Sequence, residues 1–459
     1  MSRPRVLLLN PPGDKLYIRD YYCSKVSKTY YLPQPVDLLI QSSFFSEDKY
    51  ELKVIDSIAS KWNAQQTIVH VQAFKPDVVI GLMGAVSLPE DEEFYVRLHE
   101  QIPEAHVFLS GDALLEAHDL LLEKYTWLTG IVTNFFNGGV EAWMRKEASI
   151  TGLVYKSEHG IVHAEQERNS VVELETPKQA LFPKKPYRMP FSNAEPIATV
   201  LTNYACPYPC TFCIMSTLPY MTRSAESIIE ELKYLKANGY KYIYFSDQTF
   251  FMNKSITRQV LNWMIESDYG MNWMCFSRVD VLGPEELRLM KNAGCNLIMF
   301  GVEWAEDKYL KQYKKNYTLD QIRTTFKLSK EMGIKRLGTF LIGVPGQSAS
   351  SIWNTVEFAK ELNADYASFN VAVPRSNTAF RDEAIDLGII DESVRVMDQS
   401  GDEITMGTGL VSREELERLK KKAYRSFYFR PQYVIKRLFS IRSKQEFINH
   451  VREGAQLLK

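Results

Sequence analysis

The chain has 459 residues, a formal net charge of -1 and 45% hydrophobic content, which fits two or three domains with ample cores and excludes a global field for nucleic acid or an anionic membrane. Its six cysteines, three of them in one short run, do not make a disulfide framework and suit a reducing cytoplasm. The apolar run after Met1 is too short for a signal peptide, and no stretch of about 18 apolar residues predicts a spanning helix.

Residues 1–150 alternate apolar strands and helices. Strands are predicted at Val6–Asn10, Leu52–Asp56, Asp77–Leu82, His106–Ser110 and Gly130–Val132, with helices between them such as Gln34–Ser46 and Pro89–Gln101. The strands end in small residues, where open parallel sheets bind ligands, so a doubly wound, flavodoxin-like α/β domain is expected. Residues 151–195 read as a connector, with a hairpin from Thr151–Tyr155 and Gly160–His163 and a proline-rich stretch from Pro183 to Pro190. A βα rhythm returns over 196–380, with strands at Ile197–Thr202, Tyr240–Ser246, Asn272–Ser277, Asn296–Gly301, Lys335–Ile342 and Tyr366–Val373. Gly239, Gly294 and Gly333 each stand just before a strand, as helix C-caps do. Six such units predict a partial (β/α)6 barrel with its chemistry at the strand carboxyl ends. Residues 381–459 read as a small helical region, basic around Arg418–Arg425.

Cys206, Cys210 and Cys213 lie in the run Asn203-Tyr-Ala-Cys-Pro-Tyr-Pro-Cys-Thr-Phe-Cys-Ile-Met215, a C-x3-C-x2-C spacing. Three clustered thiolates hold three irons of a four-iron, four-sulfur cluster and leave the fourth open to a small molecule. The alternatives are a structural zinc site and coincidence. Zinc sites usually add a second ligand pair downstream. Here the next cysteine is Cys275, and the only histidine after Cys213 is His450. Cys275 and Cys295 read as core thiols, and Cys23 is given no role.

This triplet directly after an apolar strand resembles the signature of radical S-adenosylmethionine enzymes. The resemblance implies a [4Fe-4S] cluster on Cys206, Cys210 and Cys213, S-adenosylmethionine on its open iron, and a one-electron donor such as flavodoxin or ferredoxin. It also implies cofactor contacts from successive strand ends. Phe212 shields the cluster or stacks near adenine, and Asp247 supplies the acidic end of the second strand. Ser277 and Arg278 grip the carboxylate, Glu303 meets the amino or ribose groups, and Thr339 and Gly343 border the adenine. For Asp247 a simple capping role competes with cofactor binding.

With a doubly wound domain in front, the chain resembles the cobalamin-dependent subclass from Asn10-Pro-Pro-Gly13 to Phe427-Tyr-Phe-Arg-Pro431. Gly84, Ser87, Ser110, Gly111, Gly138 and Gly139 are the candidate cobalamin contacts. No D-x-H-x-x-G run is present, which implies cobalamin with no histidine ligand to cobalt; His118 follows Asp112 at the wrong spacing. The implied activity is a C-methyltransferase in which a 5′-deoxyadenosyl radical takes hydrogen from an unactivated carbon and methylcobalamin supplies the methyl group. Radical cyclisation or rearrangement with the same cofactors, and a non-catalytic cobalamin or iron–sulfur sensor, are the alternatives. The substrate class stays open among small molecules, lipids, tetrapyrroles and proteins, with no nucleic acid and no membrane span. Tyr17, Tyr21, Tyr22, Tyr30, Tyr31, Tyr204, Tyr208 and Tyr220 are candidates for an aromatic pocket lining, with ordinary packing as the alternative.

Overall fold

A computed structural model describes residues 3–21, 23–27, 31–394 and 404–440. Tyr22, Tyr30, His450 and the last part of the predicted helical region lie outside the described residues.

The first sheet has seven strands. They are β1 (Arg5–Asn10), β2 (Glu51–Asp56), β3 (Val78–Leu82), β4 (His106–Ser110), β5 (Leu128–Val132), β6 (Leu153–Ser157) and β7 (Gly160–His163). Their order is β2-β1-β3-β4-β5-β6-β7, and β1 to β5 are parallel. The parallel part has the 2-1-3-4-5 order of flavodoxin-like sheets. Val6 to Leu9 are wholly buried, as expected of a central parallel strand covered on both faces. The hairpin β6–β7 adds two antiparallel strands to this sheet beside β5, so part of the stretch read as a connector is built into it.

The second sheet is the partial barrel. Its six strands are β8 (Ile197–Val200), β9 (Tyr242–Phe245), β10 (Asn272–Ser277), β11 (Cys295–Glu303), β12 (Lys335–Ile342) and β13 (Tyr366–Val371). All pair in parallel and in sequence order. Side-chain alternation divides two cores. Ile197, Tyr242, Tyr244, Met274, Leu297, Met299, Leu337 and Tyr366 form one cluster. Their strand neighbours Ile243, Phe245, Trp273, Cys275 and Ile298 pack under the helices in another. Gly239, Gly294 and Gly333 have positive φ of 76°, 100° and 67° just past the helices, as C-caps require. Ser224, Asn253, Thr318 and Ser348 cap helix N-termini with side-chain acceptors.

An open barrel leaves two strand edges with unpaired backbone groups, and side chains satisfy both here. On β8, Gln34 Oε1 accepts from Thr199 N at 2.8 Å, and Gln179 Nε2 donates to Thr199 O at 2.8 Å. On β13, the helix Arg413–Tyr428 aims two hydroxyls one turn apart. Tyr428 Oη donates to Ala367 O at 2.8 Å and accepts from its N–H at 3.1 Å. Tyr424 Oη does the same for Phe369, at 3.2 and 3.1 Å. The helix read from sequence as a basic face therefore works through its tyrosines, which stand where a seventh strand would. Replacing both tyrosines (Tyr424→Phe with Tyr428→Phe) removes four edge hydrogen bonds, each worth about 1 kcal/mol. A melting temperature equal to that of the parent chain would contradict this role.

Candidate functional site

The cysteine loop leaves the barrel at the end of β8, through the short strand Asn203–Tyr204. Asp247, just after β9, fixes that departure. Its carboxylate accepts from Thr202 N at 2.7 Å, Thr202 Oγ1 at 2.8 Å and Asn203 N at 3.0 Å. Ala205 then turns with φ +61°. The loop is pinned further on, where Thr211 N donates to Tyr313 O and Phe380 N donates to Thr211 O. Cys210 is buried, while Cys206 and Cys213 are partly open.

Two cations support the loop from behind. Arg278 Nη1 lies 3.6 Å from Cys210 Sγ. Its guanidinium stands 3.6 Å from the Tyr208 ring centroid and is held bidentate by Asp280 at 2.9 and 2.8 Å. Lys315 pairs with Glu303 at 2.9 Å and lies 5.9 Å from the Phe212 ring. Arg278 Nη2 donates to Lys315 O at 2.6 Å, which joins the two cations into one unit. Burial pushes the Cys210 thiol up against the pull of Lys315 and Arg278. Burial pushes Cys213 up to about 12. The bare thiols of Cys210 and Cys213 therefore hold their protons at neutral pH, and a soft metal must displace them. Among the described residues no three His, Cys, Asp or Glu side chains converge on a single ion. A cubane asks for something else, one thiolate on each of three irons. Three thiols on one tight loop with two cations beside it fit that group.

The sequence-expected residues divide accordingly. Cys210, Phe212, Arg278 and Glu303 meet through Lys315. Phe212 also packs edge-on against Trp304 at 5.4 Å, and Glu303 sits at φ +66°. Asp247 is adjacent and engaged by its own chain. Ser277 Oγ donates to Phe250 O at 3.0 Å and Thr339 Oγ1 to Phe300 O at 3.1 Å, so both hydroxyls rest on neighbouring backbone. Gly343 has φ +88°, and a Cβ there would stand 2.5 Å from Leu416.

The expected residues of the first sheet line its carboxyl edge, each tied to the chain. Gly84 N and Ser87 Oγ donate to Asp91 at 2.9 and 2.7 Å. Ser110 Oγ donates to Asp37 at 2.9 Å. A Cβ on Gly111 would meet Met83 O at 2.0 Å, one on Gly138 would meet Phe44 at 2.9 Å, and one on Gly139 would meet Thr151 O at 2.2 Å. These glycines are thus required by the packing of their own chain.

Sequence reading missed Lys315, which lies in the polar run Lys314–Asn316 and looks like a solvated turn. It also missed the charged groups that close the first sheet's edge. Arg19 is wholly buried against Asp91 at 2.6 Å and donates to the carbonyls of Pro11 and Pro12. Arg375, past β13, reaches across to Asp112 at 3.5 Å and to Cys23 Sγ at 2.6 Å. Of the aromatic candidates, Tyr21 and Tyr204 pack with Phe135 in the seam between the sheets rather than on an open wall.

Residues 200–359 match the Radical SAM superfamily. The chain carries a radical SAM domain. Such a domain implies a [4Fe-4S] cluster and S-adenosylmethionine. The chain is 29% identical over 420 residues to an uncharacterised methyltransferase of Pyrococcus horikoshii, covering 88% of this chain and 90% of the relative. In structure it is similar to the cobalamin-dependent S-adenosylmethionine radical enzyme OxsB, with a TM-score of 0.70 at 16% identity, over 100% of this chain and 72% of OxsB. It is also similar to the radical S-adenosylmethionine methyltransferase TsrM from Kitasatospora setae, with a TM-score of 0.65 at 17% identity, over 84% of this chain and 76% of TsrM. These likenesses establish a shared fold, with a flavodoxin-like sheet ahead of a radical SAM barrel.

Burial raises Asp247 from 3.8 to about 6, against the hydrogen bonds from Asn203 and Thr202. The folded chain keeps this proton where the unfolded chain has lost it. Stability therefore falls as pH rises from about 4 to 6. Asp247→Asn should flatten that part of the profile. Thermal unfolding across pH 4 to 7 reads it, and equal slopes for the two proteins would count against the clamp.

Proposed function

We propose that this chain is a cobalamin-dependent radical S-adenosylmethionine C-methyltransferase. The observation that carries the reading is the placement of the cysteine loop. Its three thiols follow the first strand of a six-stranded parallel barrel, at the barrel's carboxyl end, and Cys206 and Cys213 pack against the core of the 2-1-3-4-5 sheet. The bound cofactors would supply a 5′-deoxyadenosyl radical and a methyl group, and the protein supplies binding, orientation and exclusion of water. Cys206, Cys210 and Cys213 hold the cluster. Arg278 and Lys315 offset the charge that three thiolates bring. Glu303 and Arg278 are placed to orient the S-adenosylmethionine, and Phe212 covers the loop against Trp304.

A cobalamin site at the seam is supported by the polar atoms around the end of β5. Gln41 Oε1, Asn137 Oδ1 and Gln166 Oε1 are buried acceptors with no hydrogen-bond partner among the described residues. A corrin carries several side-chain amides, the kind of donor these acceptors lack. The reading leaves the lower face of cobalt without a histidine ligand. His118 lies beside His163, with ring centroids 6.3 Å apart, and His163 pairs with the surface carboxylate of Asp119. The barrel has no described histidine, which suits hydrogen abstraction from an sp3 carbon, a step that needs no side-chain base.

A second reading uses the same cofactors without methyl transfer. It is favoured by 22% identity, over 70% of this chain, to an anaerobic magnesium-protoporphyrin IX monomethyl ester cyclase of Rubrivivax gelatinosus, of which the match spans 60%. Product mass separates the two, since only methyl transfer adds one methyl group per turnover.

The test is anaerobic reconstitution, with assays for extracted cobalamin and for 5′-deoxyadenosine. The parent chain should yield both. Cys210→Ala should lose 5′-deoxyadenosine formation to the background level while keeping cobalamin. Undiminished cleavage in that variant would refute the cluster assignment. A parent chain that retains no cobalamin would refute the methyl source.

A further inference from the structure

The corner behind the cysteine loop holds two ion pairs, Arg278 with Asp280 and Lys315 with Glu303. Their surroundings differ. Arg278 lies between the Tyr208 and Tyr317 rings and touches Cys210 directly. Lys315 has a side chain only 9% exposed and Glu303 one only 13% exposed. Its ammonium lies 5.6 Å from the Tyr317 ring and 5.9 Å from the Phe212 ring, with water largely excluded. Tyr317 Oη in turn donates to Gly301 O. A Cβ on Gly301 would stand 2.8 Å from Glu303 Oε1 and 3.0 Å from Lys315 Nζ, so a side chain there would displace the pair from its present position.

Lys315 lies against the cluster loop. Cys210 Sγ is 3.8 Å from the carbonyl of Lys314, the residue before it, and the Lys315 ammonium stands 5.9 Å from the ring of Phe212 in the same loop. A charge in a site this dry is weakly screened. Reducing a four-iron cluster adds one negative charge, so a nearby fixed cation favours the reduced form and a nearby fixed anion opposes it.

We propose that Lys315, anchored by Glu303, raises the reduction potential of the cluster held by Cys210, beside the direct contact from Arg278. The proposal rests on the cluster reading above. Lys315 touches no reacting atom; it is a positioning and charge-setting residue. It eases the entry of one electron from a low-potential donor of the flavodoxin or ferredoxin class. Glu303 holds the ammonium in place and limits the effect.

The two members of the pair then have opposite signatures, which a purely structural role would not give. The full chain is reconstituted with iron and sulfide, and its midpoint potential is read by visible and electron paramagnetic resonance titration without S-adenosylmethionine. Lys315→Met should disfavour reduction about tenfold or more, a shift of about 59 mV to lower potential for one electron. Glu303→Gln should move the potential upward, and Lys315→Arg should stay near the parent value. Shifts of the same sign for Lys315→Met and Glu303→Gln, or no shift in either, would overturn the proposal. If Lys315→Met fails to hold a cluster, Glu303→Gln decides alone, and an unchanged or lowered potential there overturns it. A parent chain that assembles no cluster would instead overturn the functional reading.

Discussion

A loop that must present three thiols to one cluster has few hydrogen bonds of its own, so its shape is imposed from outside. The constraint on which the rest depends is the seating of Cys206–Cys213 between Asp247 and the Arg278–Lys315 unit. At the departure point Asp247 Oδ1 accepts from the backbone N–H groups of Thr202 and Asn203, and Oδ2 accepts from the Thr202 hydroxyl. Arg278 and Lys315 grip the two aromatic residues of the loop from behind. Asp247 follows β9, Arg278 follows β10 and Lys315 lies in the connection after β11, so the loop is correct only when these parts of the barrel are in place. Burying an ionised carboxylate costs several kcal/mol, and here three hydrogen bonds offset that cost only in part.

The barrel can be complete only if its edges are closed. Gln34, from the first sheet's territory, pairs with the backbone of β8, and Tyr424 and Tyr428 pair with β13. The first of these contacts also ties the two sheets to each other. Arg375 and Asp112 add a second tie beside the cysteine loop, and Tyr21, Phe135 and Tyr204 pack a third. The seam is thus both a structural joint and the place where the two carboxyl edges meet. The seam is held by side chains rather than by shared strands.

Much of this was legible in the chain. Period and punctuation located the strands of both sheets to within a few residues, because central parallel strands are continuous apolar runs and Gly239, Gly294 and Gly333 mark the helix ends. The spacing of Cys206, Cys210 and Cys213 is local, so it survives without a structure. What was not legible is long-range. Lys315 sits among polar residues and reads as solvated until β11 and β10 bring Glu303 and Arg278 to it. Ser87 and Ser110 read as ligand contacts, but nothing local reveals that Asp91 and Asp37 take their hydroxyls. Gly139 reads as a close approach for a ligand, and nothing local reveals that Thr151 O also approaches it. The tyrosines of the last helix carry no sequence mark of their task, since their partners are backbone atoms far away in the chain.

The central claim is that three cysteines hold a four-iron cluster whose fourth iron is open. Electron paramagnetic resonance of the reduced, reconstituted chain, with and without S-adenosylmethionine, tests it most directly. The account predicts the signal of a reduced four-iron cluster that changes when S-adenosylmethionine is added. A signal that is absent, or one that S-adenosylmethionine leaves unaltered, would contradict it.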